Sequence, residues 1–113
     1  MTASAYSLSD GYPATNFRIT EGEVVIGGIH GATHHYFCDY CKSWLYTEME
    51  GVPDFVNVRA TLFDAPSQER PFIETFVSEA LPWALTGTSN SYDSVPPQEQ
   101  WPELMGAFAG RPR

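Results

Sequence analysis

The stretch Tyr36-Phe37-Cys38-Asp39-Tyr40-Cys41-Lys42-Ser43-Trp44-Leu45 constrains this chain more than any other. It carries the only two cysteines of the sequence, spaced C-x-x-C between aromatic residues. On a tight knuckle between two strands, that spacing puts both sulfurs on one side of the backbone. A tetrahedral zinc accepts such a pair with Zn–S bonds of about 2.3 Å. Cys38 and Cys41 supply two ligands of four. His34 or His35, directly upstream, is a candidate for a third; neighbours on a strand point to opposite faces, so at most one of them reaches the metal. His30, in a Gly loop, is a weaker candidate. The same cysteine pair from a second chain could equally complete the site. A thiol–disulfide role would need a thiol pKa lowered by a helix N-terminus or by cations, and Lys42 is the only adjacent positive charge. Plain thiols packed among the aromatics are the remaining reading.

With 113 residues the chain fits a single domain. Its formal charge of −8 argues against nucleic acid and against an anionic membrane surface, both of which draw on Lys and Arg. No apolar run approaches the roughly 20 residues of a membrane-spanning helix, and residues 1–16 lack the basic and apolar regions of a signal peptide. A cytoplasmic location is expected, and in a reducing compartment a cysteine pair points to metal or redox use rather than a structural disulfide.

Read in order, residues 3–8 alternate small apolar with polar side chains as a strand would, and Gly11-Tyr12-Pro13-Ala14 signals a turn. Phe17-Arg18-Ile19-Thr20, then Glu21-Gly22, then Val24-Val25-Ile26 read as a hairpin. Gly27-Gly28-Ile29-His30-Gly31 is a turn between strands, since no helix follows to make it a phosphate loop. Residues 33–37 and 43–47 are the strands on either side of the knuckle. Glu48 to Asp54 is a polar loop, in which Glu48, Glu50 and Asp54 face water. The clearest strand follows, with Val56, Val58, Ala60 and Leu62 on one face and Asn57, Arg59 and Thr61 on the other. Asn57 and Arg59 line either a pocket or a solvent-facing sheet. Residues 72–77 read as another strand and 86–98 as loop. Trp101, Leu104, Met105 and Phe108 recur at helical spacing, with Pro102 and Glu103 suited to the start and Gly110 and Arg111 to the stop, so residues 101–109 are a terminal helix.

Taken together, Tyr36-Phe37-Cys38-x-x-Cys41, the strand Phe55-Val56-Asn57-Val58-Arg59-Ala60, and Leu81-Pro82-Trp83 resemble the glutathione-dependent formaldehyde-activating enzyme family, which includes centromere protein V. The resemblance runs from about Ala3 to the end of the chain. It implies a mainly β fold of the Mss4-like type, with a short C-terminal helix, carrying zinc. In that family an early C-x-C and the late C-x-x-C hold a structural zinc, while a middle cysteine cluster holds a zinc considered catalytic. Only Cys38 and Cys41 map onto this pattern, as the late half of the structural site. The resemblance therefore makes the chain a single, N-terminally truncated domain over 1–113, without the catalytic ligands. Lys42 stands where a Gly commonly follows the knuckle.

What the resemblance implies for function is a zinc-dependent carbon–sulfur lyase acting on glutathione and formaldehyde adducts, inactive or incomplete as given. The alternative is a non-catalytic zinc-binding or interaction module. Expected partners are a small thiol substrate and a second copy of the chain, because missing N-terminal strands would leave open sheet edges that tend to pair.

Overall fold

The computed structural model describes residues 4–28 and 31–112. The chain divides into two compact units, residues 1–66 and 67–113. The architecture is mainly β, with one short helix at the C-terminus.

The first unit is a five-stranded antiparallel sheet built from β1 (Ser9–Pro13), β2 (Val24–Gly27), β3 (Thr33–Cys38), β4 (Trp44–Met49) and β5 (Val52–Arg59), in the order β1-β5-β4-β3-β2. Strands β2 to β5 follow one another as hairpins, and β1 closes onto the far side of β5. The central strands carry the core. Val56 is 2% exposed and Tyr46 6%, and Ala60, just beyond β5, is fully buried. Alternation explains the choice, because side chains two apart on a strand share a face. On the face of Val56 and Val58, Tyr46 stacks on Tyr36 at 4.7 Å, and Phe17 packs against Tyr46 at the same distance.

Several elements differ from the sequence expectation. The first strand is not residues 3–8 but Ser9–Pro13, through the expected turn; Ala3 lies outside the described residues. Pro13 is tolerated because it ends an edge strand, where a missing N–H costs no ladder bond. Residues 17–20 form no strand, so β2 pairs with β3 instead of folding back on them. The Glu48–Asp54 loop shrinks to a turn at Glu50 and Gly51, because Gly51 takes a φ of 81°, which lets β4 and β5 run almost to its edges. At its other end β5 stops at Arg59, and Ala60–Leu62 winds into a 3₁₀ turn.

In the second unit the expected strand over 72–77 contracts to β6 (Ile73–Glu74), paired in parallel with β7 (Asn90–Ser91), which lies inside the stretch expected as loop. The Glu74 carboxylate organises this unit. Its Oε2 accepts from the Thr86 amide at 2.9 Å and the Thr86 hydroxyl at 2.8 Å, and its Oε1 accepts from Ser91 Oγ at 2.9 Å. The helix α1 spans Trp101–Ala109, buries Leu104 and sets Phe108 edge-on to Phe72 at 5.4 Å. Among the described residues no helix is long and apolar enough to cross a membrane.

Candidate functional site

The cysteines sit where β3 gives way to β4. The Cys38 amide donates to the Ser43 carbonyl at 2.9 Å, and the Lys42 amide donates back to the Cys38 carbonyl at 2.9 Å, closing a tight turn over 39–42. Closing it needs a left-handed residue, and Lys42 supplies one at φ 60°. The cost of placing a Cβ there is offset locally. Lys42 Nζ reaches back to the Asp39 carbonyl and pairs with Asp39 Oδ1 at 2.8 Å. Both cysteines are free thiols, Cys38 half-buried and Cys41 exposed. Cys41 Sγ lies 3.2 Å from Ser43 Oγ. The Ser43 hydroxyl, then its backbone N–H and the Cys38 side chain, hold the Cys41 thiol below its ordinary pKa. Such a thiol is readier to become the thiolate that metals bind.

The histidines turn elsewhere. His34 Nε2 lies 3.3 Å from Glu50 Oε1. His35 Nδ1 lies 2.8 Å from Thr47 Oγ1, and its ring meets Trp44 edge-on at 4.9 Å. His30 lies outside the described residues. Among the described residues no group of three His, Cys, Asp or Glu side chains is arranged to hold a metal ion. The donor set of the turn suits zinc in kind, two thiols on one knuckle, but it falls two ligands short of the four a structural site takes. A complete zinc centre does not fit these residues alone.

The sheet does assemble a second constellation, on the face away from Val56. Register places His35 opposite Thr47 and Thr47 opposite Asn57, so the three side chains form one row across β3, β4 and β5. Glycine ends the row on both sides, Gly27 opposite His35 and Gly11 opposite Asn57. Thr47 is buried, and its hydroxyl is satisfied. Trp44 Nε1 donates to Thr47 Oγ1 at 3.0 Å, which leaves the hydroxyl proton available to His35 Nδ1. Arg59, two residues beyond Asn57 on the same face, lays its guanidinium over Trp44 at 4.4 Å from the ring centre. Burial lowers its pKa, since a half-buried cation is less well hydrated. The opposite face behaves differently. There desolvation, reinforced by Glu48, raises the Tyr36 and Tyr46 pKa values, so both phenols stay neutral.

A search against protein-family models matches residues 1–79 to the glutathione-dependent formaldehyde-activating enzyme family. The chain belongs to that family. The match covers the whole sheet and the cysteine turn, and so takes in both constellations just described. No curated protein and no solved structure matches the chain.

Of the residues that sequence reasoning singled out, the fold brings Cys38 and Cys41 to one turn and sends His34 and His35 to separate partners. It missed Trp44 and Thr47. The available signal was a threonine at the centre of a strand rich in aromatics, a polar residue that burial would force to find partners. Strand alternation puts Asn57 and Arg59 on one face, while their neighbours there, Thr47 and Trp44, follow only from the fold.

Proposed function

We propose that this chain works on small thiol adducts of the glutathione and formaldehyde class, within a family of carbon–sulfur lyases, and that its Cys38–Cys41 turn is half of a structural zinc site. The observation that supports it is the turn itself, two free thiols on one exposed knuckle with Cys41 biased toward the thiolate and no third ligand beside them among the described residues. In this reading the same turn of a second copy completes four thiolate ligands. Strand β2 is an edge strand with Val25 and Ile26 exposed, and Val24 lies opposite Cys38, so a copy pairing along β2 would come close to the turn. Zinc held this way orders the turn and exerts no chemistry on a substrate. Among the described residues nothing supplies ligands for the open zinc position that carbon–sulfur chemistry would use, so in this reading turnover requires an assembly that supplies them.

The same shortage of ligands favours a second reading, a non-catalytic zinc-binding or interaction module. Zinc content with native mass, followed by proton NMR of glutathione mixed with formaldehyde, tests the two together. One zinc per two chains in a dimer, lost in Cys38→Ser, supports the shared site; a zinc-free monomer overturns it. Faster approach of the glutathione–formaldehyde mixture to equilibrium with the protein present supports the enzymatic class, and an unchanged rate supports the module.

A further inference from the structure

Arg59 is a cation in an unusual position. The protein carries fourteen Asp and Glu residues, yet among the described residues none forms an ion pair with Arg59. Its Nη1 is shut off from water and, among the described residues, has no hydrogen-bond acceptor. A guanidinium donor withdrawn from water without an acceptor is costly, and such a group is stabilised by whatever anion can reach the rest of the fork. Lys42, by contrast, spends its charge on Asp39 beside it, and Arg111, whose Nη1 is also buried without an acceptor among the described residues, keeps its Nη2 3.7 Å from the Glu69 carboxylate.

The surroundings narrow the kind of anion. Trp44 holds the guanidinium carbon 4.4 Å over its ring, and Trp44 is itself tied to Thr47 through its ring N–H. The guanidinium fork is itself planar, and held over a tethered ring it suits a planar carboxylate, which it can bind through two parallel hydrogen bonds. Asn57, on the same strand and face, adds an amide beside it. Gly11, opposite Asn57, keeps the adjoining space free of a side chain: a Cβ there would lie 3.4 Å from Asn57 Oδ1. His35 and Thr47 continue the polar row toward β3, the strand that ends at Cys38.

We propose that Arg59, held over the Trp44 ring beside the His35–Thr47–Asn57 row, is the carboxylate anchor for the small thiol-bearing acid this chain takes up. The identity of that acid rests on the thiol-adduct reading above; the anchor itself rests on Arg59 and its surroundings. Binding joins two charges without covalent change, so the carboxylate oxygens accept the Arg59 N–H bonds and the ligand thiol remains free to react.

Calorimetric titration of the full chain with glutathione, its diethyl ester and acetate, together with the Arg59 Nε–H signal by NMR, tests this. The expected result is glutathione binding at least about tenfold tighter than the diester, the size of one charged hydrogen bond. R59Q should bind acid and diester equally weakly, and R59K, which keeps the charge but not the fork, should recover only part of the difference. If R59Q does not fold, the wild-type Arg59 signal decides: it should move with glutathione and acetate and stay still with the diester. Equal affinity for acid and diester overturns the anchor while leaving the thiol-adduct reading intact. Acetate moving the Arg59 signal without any glutathione binding keeps the anchor and overturns that reading. No binding of any of the three overturns both.

Discussion

The two units of this protein are held by different forces. In the sheet of the first unit, Val56, Tyr46 and Ala60 are withdrawn from water and the tyrosines stack, so apolar burial does most of the stabilising. In the second unit Leu104 and Pro96 alone are buried among the described residues, and one carboxylate, Glu74, gathers three donors from Thr86 and Ser91. Short elements cannot bury long apolar stripes, so hydrogen bonds to a charge replace them. The contrast teaches where each unit is vulnerable. The sheet should be sensitive to lost volume and the second unit to lost charge. Both constellations described above lie in the unit with the rigid packing, where register can hold side chains in fixed positions.

The sharpest way to break the contrast is Val56→Ala. Removing two methyl groups from a site 2% exposed should cost about 2 kcal/mol of stability. Chemical denaturation followed by tryptophan fluorescence measures it, and a cost near zero would mean that packing does not hold the sheet. Thr47→Val asks whether a buried polar group matters inside the packed unit. It keeps the shape but leaves Trp44 Nε1 and His35 Nδ1 without their shared oxygen, so a loss of about 1–2 kcal/mol is expected in the same assay. An unchanged midpoint would show that the row is incidental to stability.

Lys42→Gly should go the other way. Glycine adopts the left-handed φ of the turn without penalty, and against the lost Asp39 pairing, a weak exposed contact, a net gain of about 0.5 kcal/mol is expected. A destabilised variant would mean that the Lys42 bridge, not backbone relief, governs the knuckle.

The effect on global stability should be smallest for Glu74, and it is local. Its folded pKa lies below the ordinary carboxylate value, because of the Thr86 amide, then the Thr86 and Ser91 hydroxyls. The sign follows: the stabilising contribution is fully present above the unfolded carboxylate pKa and is lost as pH falls through the lower folded value. Acid titration by NMR should therefore shift the Thr86 and Ser91 amide signals together, below the range in which exposed carboxylates titrate, while Val56 stays unaffected. In Glu74→Gln that acid transition should vanish. Its persistence would place the acid sensitivity elsewhere.

Much of this was legible beforehand because it is written in local periodicity. The alternation around Val56 and Val58 made β5 visible, the helical spacing of Trp101, Leu104, Met105 and Phe108 marked α1, and C-x-x-C between aromatics marked the turn. The family, too, was recognisable from the order of short motifs. Less visible was the first strand, since a Gly and a Pro read as a turn unless it is known that β1 lies at an edge, and that is a fact about its neighbours.

The sequence by itself determined which residues could carry chemistry and which strands would alternate, because side-chain spacing along a strand or helix is set by backbone geometry within a few residues. The tertiary structure alone decided that His35 meets Thr47 and not the cysteines, and that Arg59 lies on Trp44, fifteen residues earlier in the chain. Those partners are fixed by register between strands, and register comes from the packing of the whole sheet rather than from any one segment.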